Sequence, residues 1–333
     1  MTLADSRSRE ENNRTALQIL ARTKSLVSPA LEASTKRLGD EIGPVIDHHL
    51  LVGGKFVRAA LALLSANAAG AGDEVALAGA VAIELVHNFS LIHDDIIDGD
   101  LERRHHPTVW AKFGVGPALI AGDALSTLAF QMLLEEPSVE RVAAARRLGD
   151  ATQAMIVGQA QDIASEHVLL LSVEECLAME AGKTGALLSC AASIGAVLAG
   201  ADGAVVDALA DYGTHLGFAF QAVDDMLGIW GEPVVTGKPV GNDLRLRKKT
   251  LPISIANSKG FDIFTGPSDV ELSDANVAEA MVMLDECGAR YETMELAQRE
   301  LAASLGSLER APLAGAPRGQ LAVIARYVIE RDQ

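Results

Sequence analysis

Cysteine is nearly absent from this 333-residue sequence. Cys176, Cys190 and Cys287 are odd in number and far apart, which excludes a disulfide framework or a zinc-ligand spacing. A reducing, cytoplasmic setting is therefore expected. Basic residues are scarce too, 28 Lys and Arg against 45 Asp and Glu, for a formal charge of −17. Affinity for a nucleic-acid backbone comes from clustered cations, so a nucleic-acid partner is excluded and the few basic clusters stand out. Aromatics make up only 4% of the chain, so the 49% apolar share rests mainly on Ala, Leu, Val and Ile, which suits long packed helices. The opening MTLADSRSREENNRT lacks the apolar core of a secretory signal, and none is expected. Only Thr184–Ala201 runs 18 residues without a charge, close to the length of a membrane-spanning helix. Its Gly, Ala, Ser and Thr lower its hydropathy, and Lys183 and Asp202 bracket it. A buried helix, without stable membrane insertion, is expected.

Strand alternation is also scarce, and helical periodicity dominates from about Ala16 onward. Gly and Pro punctuate the pattern, leaving helical segments near 16–38, 55–70, 74–98, 117–135, 138–165, 172–200 and 203–230, with more after Pro252. Gly231–Thr250 and Gly260–Asp269 read as irregular. No Pro- or Ser-rich linker divides the chain. The expectation is one all-α helical bundle around a central cavity, spanning 16–333, with residues 1–15 frayed.

Two acidic clusters carry the chemistry. In LIHDDIIDGD, Asp94 and Asp98 are four apart and share a helix face, with Asp95 beside them. Gly99 marks a helix stop, which puts all three carboxylates in the last turn. That end already carries partial negative charge, so a cation must compensate, and hard oxygen ligands suit Mg²⁺, with Mn²⁺ as a substitute. A solvated acidic helix end is the plainer explanation, but the strongly apolar run AGAVAIELVHNFSLI precedes the cluster. A His93–Asp94 metal dyad would need further histidines at helical spacing, which the chain does not supply. The second cluster, FQAVDDMLGIWG, holds Gln221 one turn before Asp224, with Asp225 next to it. Either cluster alone is a weak signal. Two acidic helix ends facing one cavity would hold metal ions around a diphosphate.

Lys55 and Arg58 follow Gly53-Gly54 at a helix start, where backbone amides favour an anion, and Arg103-Arg104 follow the first aspartates. Together, Lys55, Arg58 and Arg104 point to a second, metal-free phosphate pocket. Arg245, Arg247 and Lys249 read as surface cations.

In order along the chain, GGKFVRA, HNFSLIHDDIID, RRHHPT, AGDAL, GKTGALL, FQAVDD, GKPVGNDLR and KKTLP resemble the motif series of the trans-type isoprenyl diphosphate synthases, from about Arg22 to the C-terminus. The resemblance implies a Mg²⁺-dependent prenyltransferase, a homodimer, that condenses isopentenyl diphosphate with an allylic diphosphate (dimethylallyl, geranyl or farnesyl). It places Asp94, Asp95, Asp98, Asp224 and Asp225 on metal. Arg103, Lys183, Gln221, Lys238 and Lys248 would lie around the allylic diphosphate. Lys55, Arg58, His87 and Arg104 would hold isopentenyl diphosphate, and Thr184 and Gln221 would face the allylic carbon. Lys183, Thr184, Gln221 and Lys238 form the implied catalytic set. Three positions depart from the family pattern: Phe56 and Ala59 in the first motif, and Gly228 where the second aspartate motif has a third aspartate.

Two rivals share the scaffold. A terpene cyclase has no use for Lys55, Arg58, His87 and Arg104. A non-catalytic subunit of a heteromeric synthase could show Gly228 as decay, but the other aspartates are intact. Product length is expected to depend on Phe89 and Ser90, within two turns before Asp94. A lone aromatic beside a small residue resembles the geranylgeranyl synthases, so twenty carbons is the first expectation and fifteen the second.

Overall fold

The computed structural model describes residues 3–51, 53–165, 168, 170–233, 239–264 and 272–330. The chain runs α1 (Leu3–Thr35), a short 3₁₀ turn (Lys36–Leu38), α2 (Gly39–Leu51), α3 (Val57–Ala68) and α4 (Asp73–Ile97). A two-stranded hairpin, Glu102–Arg103 with His106–Pro107, leads to α5 (Val109–Phe113), α6 (Val115–Leu134) and α7 (Val139–Ser165). Next come α8 (Val173–Glu180), a π turn (Ala181–Gly185), α9 (Ala186–Leu198) and α10 (Gly203–Trp230). The described remainder is α11 (Asn242–Arg245), α12 (Leu251–Ser258), α13 (Asp274–Glu286), α14 (Ala289–Ser307) and α15 (Gly315–Glu330). The hairpin is the only sheet among the described residues, so the all-α expectation holds.

Small apolar residues explain how so many helices share one core. Ala76, Ala80, Val81, Ile83 and Leu85 of α4 are fully enclosed, as are Ala59, Ala60, Leu61 and Ala62 of α3 and Ala191, Ala192 and Ile194 of α9. α9 is central, packing on α3, α4, α7 and α10, and α10 leans on α14 from the other side. Tyr212 on α10 is fully buried, its hydroxyl donating to the Leu321 carbonyl at 2.8 Å, which ties α15 to the centre.

Two boundaries differ from expectation. α1 begins at Leu3, so a helix covers most of the segment for which fraying was expected. Its Arg- and Glu-rich composition is compatible with helix, and the burial of Ala16, Ile19 and Leu20 anchors the following turns. The single helix expected over 172–200 runs from Val173 to Leu198, with a π turn at Ala181–Gly185 inside it. Three helices, Asp73–Ile97, Val115–Leu134 and Val173–Leu198, are long and apolar enough to cross a membrane, but the first and third are mostly buried inside the bundle.

The π turn is shaped by a close approach. A methyl group on Gly158 of α7 would come within 2.8 Å of the Gly182 carbonyl carbon and 2.9 Å of Lys183 Cα. Backbone cannot yield as a side chain can, so only glycine lets α7 support the turn that carries Lys183 and Thr184. Gly158→Ala is expected to destabilise the fold by about 1–3 kcal/mol, as overpacking does. Gly149→Ala on the same helix meets only Phe130, 3.7 Å away, and should be neutral or stabilising. Thermal melting of the two variants checks this; equal melting temperatures would contradict it.

Candidate functional site

The apolar run of α4 ends where Asp98 caps the helix and Gly99 takes a positive φ of 68°. Asp94, Asp95 and Asp98 therefore do share the last turn, as the spacing predicts. Their surroundings separate them. Asp95 is 1% exposed, and its Oδ1 accepts from Arg103 Nε at 2.8 Å and Nη2 at 2.7 Å. Asp94 is half-buried and Asp98 is exposed. Burial, reinforced by the like charges of Asp98 and Asp95, pushes the Asp94 carboxyl up to about 6, against the pull of Lys183. This is the electrostatic state of a site short of positive charge.

Lys183 and Thr184 sit on the π turn, a distortion that recurs at functional sites. The Lys183 ammonium ion-pairs with Asp162 of α7 and lies within electrostatic reach of Asp94 and Asp98. One residue on, the Thr184 hydroxyl donates to Gln221 Oε1 at 2.8 Å, and Gln221 Nε2 donates to Asp225 Oδ1 at 2.8 Å. The turn thus reaches both acidic clusters, one with each side chain; the second cluster does not end its helix, since α10 runs on to Trp230.

Asp225 is not where the resemblance puts it. It is 4% exposed and accepts from Gln221 and from the Leu251 backbone N–H, 2.7 Å away. Its other neighbour is Glu180, whose carboxyl burial and Asp225 hold far above the usual range. Glu180 Oε2 has no partner among the described groups, and burial favours the neutral form of this carboxyl. These contacts tie α10 to α8 and α12 through Asp225. Asp95, held by Arg103, is likewise withdrawn, and Arg103 spends two of its donors there. That leaves Asp94, Asp98 and Asp224 as the carboxylates that fit a metal. Among the described residues no three carboxylate, imidazole or thiolate groups converge closely enough to hold an ion by themselves. A shell divided between two helices suits Mg²⁺, which shares its coordination with substrate phosphates.

The second basic cluster assembles beside this. Arg58, in the first turn of α3, has Glu84 and Asp224 as its nearby charges. Glu84, buried on α4, also accepts from the Ala59 N–H at 3.1 Å. Arg58 Nη1 lies 3.4 Å from His87 Nε2, while its buried Nε has no acceptor among the described groups. Burial and the nearby cations of Arg58, Arg103 and Arg104 hold His87 well below its ordinary pKa, and therefore neutral. His49, buried on α2, is pushed down to about 4 by burial first and Arg103 second.

The hairpin aims the paired arginines. Arg104 and His105 both have positive φ, 52° and 64°, the signature of a two-residue type I′ turn that ordinarily uses Asn and Gly. His48 Nε2, 2.8 Å from the Pro107 carbonyl oxygen, pins the hairpin to α2. Arg104 Nη1 then lies 3.9 Å from where a side chain on Gly54 would begin. Arg58, His87 and Arg104 are thus brought together, with Lys55 exposed at the edge of the Gly53-Gly54 loop. Lys248 is also exposed, and Lys238 lies outside the described residues. His93 supports no metal dyad: its ring is edge-on to Phe89 at 5.0 Å and its Nε2 is 3.2 Å from the Leu119 carbonyl of α6.

Asp162, Glu84, Glu180 and His49 are site residues that sequence reasoning missed. None stands in a local motif, and each matters through a partner distant in sequence.

The polyprenyl synthetase family model matches residues 40–262. The chain is similar to (2E,6E)-farnesyl diphosphate synthase of Mycobacterium tuberculosis, 41% identical over 340 residues, covering 96% of this chain and 94% of that one. Geranylgeranyl diphosphate synthase of the same organism is 38% identical over 310 residues, covering 87% and 88%. A crystal structure of a polyprenyl synthetase from Streptomyces coelicolor A3(2) aligns with a TM-score of 0.88 at 44% identity, over 94% of this chain and 99% of that one.

The raised Asp94 carboxyl yields a pH prediction. A metal ligand must be ionised, so Mn²⁺ affinity is expected to be full above about pH 6 and to fall as pH drops through that value. Asp94→Asn should be weak at every pH and lose that inflection. A calorimetric titration of Mn²⁺ from pH 5 to 8 decides; a wild-type affinity flat with pH would contradict the assignment.

Proposed function

Because the chain belongs to the polyprenyl synthetase family and is a trans-prenyltransferase, we propose that it joins isopentenyl diphosphate to an allylic diphosphate (dimethylallyl, geranyl or farnesyl) and builds geranylgeranyl diphosphate. The observation that carries the two-substrate reading is the convergence of Arg58, neutral His87 and Arg104 beside the Gly53-Gly54 loop. Clustered guanidinium groups beside a neutral imidazole suit a diphosphate. No carboxylate of the metal-binding set is needed there, so this pocket fits the metal-free substrate. A terpene cyclase would have no second diphosphate to place in it.

In the reaction the allylic C–O bond breaks and its electron pair leaves with pyrophosphate. The isopentenyl double bond attacks the resulting cation, and pyrophosphate takes the proton released. Mg²⁺, or Mn²⁺ in its place, held by Asp94, Asp98 and Asp224, would neutralise the departing diphosphate. Lys183 adds a fixed positive charge on the same side, its position set by Asp162. Thr184 commits its hydroxyl proton to Gln221, so the lone pairs of its oxygen remain available to a nearby cation. The apolar faces of α4 and α9 exclude water from that cation.

Product length follows from the end of α4. Phe89 is buried, with its ring fixed edge-on to His93. Ser90 is small, and its hydroxyl donates back to the His87 carbonyl at 2.9 Å. A fixed aromatic beside a small residue supports passage of a fourth isoprene unit past Ser90. The second reading is farnesyl diphosphate, favoured by the 41% identity to a farnesyl diphosphate synthase. A homodimer belongs to the same proposal. Val115, Leu119 and Ile120 are exposed at the start of α6, an apolar face that a second copy would cover.

The test is product analysis with Mg²⁺, isopentenyl diphosphate and each allylic starter. A twenty-carbon diphosphate is expected, and Ser90→Phe should shorten it. A cyclised hydrocarbon, or no turnover by the chain alone, would overturn the reading. Arg58→Ala should raise the KM for isopentenyl diphosphate roughly tenfold to a hundredfold, as loss of a charge-assisted contact does. The allylic KM should barely move; equal shifts in both would contradict the pocket assignment.

A further inference from the structure

Two consecutive hairpin residues, Arg104 and His105, hold left-handed backbone, with φ of 52° and 64°. That conformation is strained for any residue with a side chain, and it persists where the surroundings enforce it. The strained pair includes Arg104, the residue whose guanidinium joins Arg58 and His87.

The hairpin is gripped on both arms. On the first, Arg103 holds Asp95 of α4. On the second, Pro107 pairs with Glu102, and its carbonyl oxygen lies 2.8 Å from His48 Nε2 of α2. The other imidazole nitrogen, Nδ1, lies 3.1 Å from Lys112 Nζ of α5. One neutral tautomer serves both contacts: Lys112 donates to Nδ1, and the Nε2–H donates to the Pro107 carbonyl. Phe113 stands edge-on to the His48 ring at 5.4 Å, with the Lys112 ammonium 5.1 Å from its centre, which holds the imidazole in this plane. The relay thus joins α2, the end of the hairpin and the helix that follows it. α2 also leads into the Gly53-Gly54 loop, beside which Arg104 Nη1 lies. Next to His48, the buried His49 is within electrostatic reach of Arg103 and Arg104. One helix therefore frames both sides of the pocket.

We propose that His48 is a positioning residue for the isopentenyl-side pocket: its relay from Lys112 to Pro107 clamps a strained turn so that Arg104 reaches the diphosphate. The proposal rests on the two-substrate reading given above.

A clamp that works against strain becomes dispensable once the strain is gone. His105→Gly removes part of it, because glycine adopts positive φ freely. The test is steady-state kinetics with both substrates, with Arg58→Ala as the benchmark for the pocket. His48→Ala is expected to raise the KM for isopentenyl diphosphate about threefold to tenfold, as loss of one hydrogen bond does. Its kcat and allylic KM should stay near wild type. His105→Gly alone should leave all three unchanged, and the double variant His48→Ala with His105→Gly should return to within about twofold of wild type, a departure from additivity that marks coupled residues. Lys112 is exposed, so Lys112→Ala tests the far end of the relay without disturbing the core. It should raise the same KM more weakly, and His105→Gly should cancel that rise too. If Arg58→Ala raises the isopentenyl KM while His48→Ala and Lys112→Ala do not, the assignment of His48 is overturned. It is overturned equally if His48→Ala raises both KM values alike, or if His105→Gly fails to rescue it. If Arg58→Ala leaves the isopentenyl KM unchanged, the two-substrate pocket itself is wrong.

Discussion

Everything at this site depends on one arrangement: the carboxylates at the end of α4 and those inside α10, which runs on to Trp230, are held beside a single π turn. Like charges repel, so the two clusters would gain from lying far from each other. The bundle prevents this by wedging Ala181–Gly185 among α7, α9 and α10, at a place where Gly158 admits backbone against backbone. From that turn Lys183 reaches the charge of Asp94 and Asp98, and Thr184 fastens to Gln221 of α10. The fold thereby gathers negative charge in a defined place, with Lys183, Arg103 and Arg58 as partial counterweights. Binding of a cation with a diphosphate relieves that charge, which is why the same feature that strains the apo site favours the substrate-loaded one.

The carboxylates divide into those that build the site and those that act in it. Asp95 and Asp225 are the second residues of their pairs, and both turn inward to buried partners, Arg103 in one case, Gln221, Leu251 and Glu180 in the other. Asp94 and Asp224, the first residues, lie on the more open side of their helices. Adjacent residues on a helix point about 100° apart, so an Asp-Asp pair on a helix gives one group to the cavity and one to the core. Around Arg58 the division recurs. Glu84 balances Arg58 from below, and neutral His87 and His49 let Arg103 and Arg104 approach without adding charge.

Much of this was legible in the sequence, and what was not has physical reasons. The long helices followed from periodicity, and Gly99 ended α4 where its spacing said it would. α2 lies between the segments expected at 16–38 and 55–70, and it holds Pro44 inside the helix. The hairpin was missed because Arg104 and His105 adopt left-handed conformations that sequence associates with Asn and Gly. Asp162, Glu84 and Glu180 were invisible because their roles are set by partners 21, 25 and 45 positions away: Lys183, Ala59 and Asp225. The motifs gave the aspartates in order but not which of two neighbours, Asp95 and Asp225, turns toward buried partners.

The central claim is that one diphosphate is held through metal and the other through the chain's own cations. Calorimetric binding of isopentenyl diphosphate and of a non-ionisable allylic thiodiphosphate, each with Mg²⁺ and with excess chelator, tests it directly. The account predicts that chelation abolishes binding of the allylic analogue and leaves that of isopentenyl diphosphate largely intact. Loss of both to the same extent, or retention of both, would contradict it.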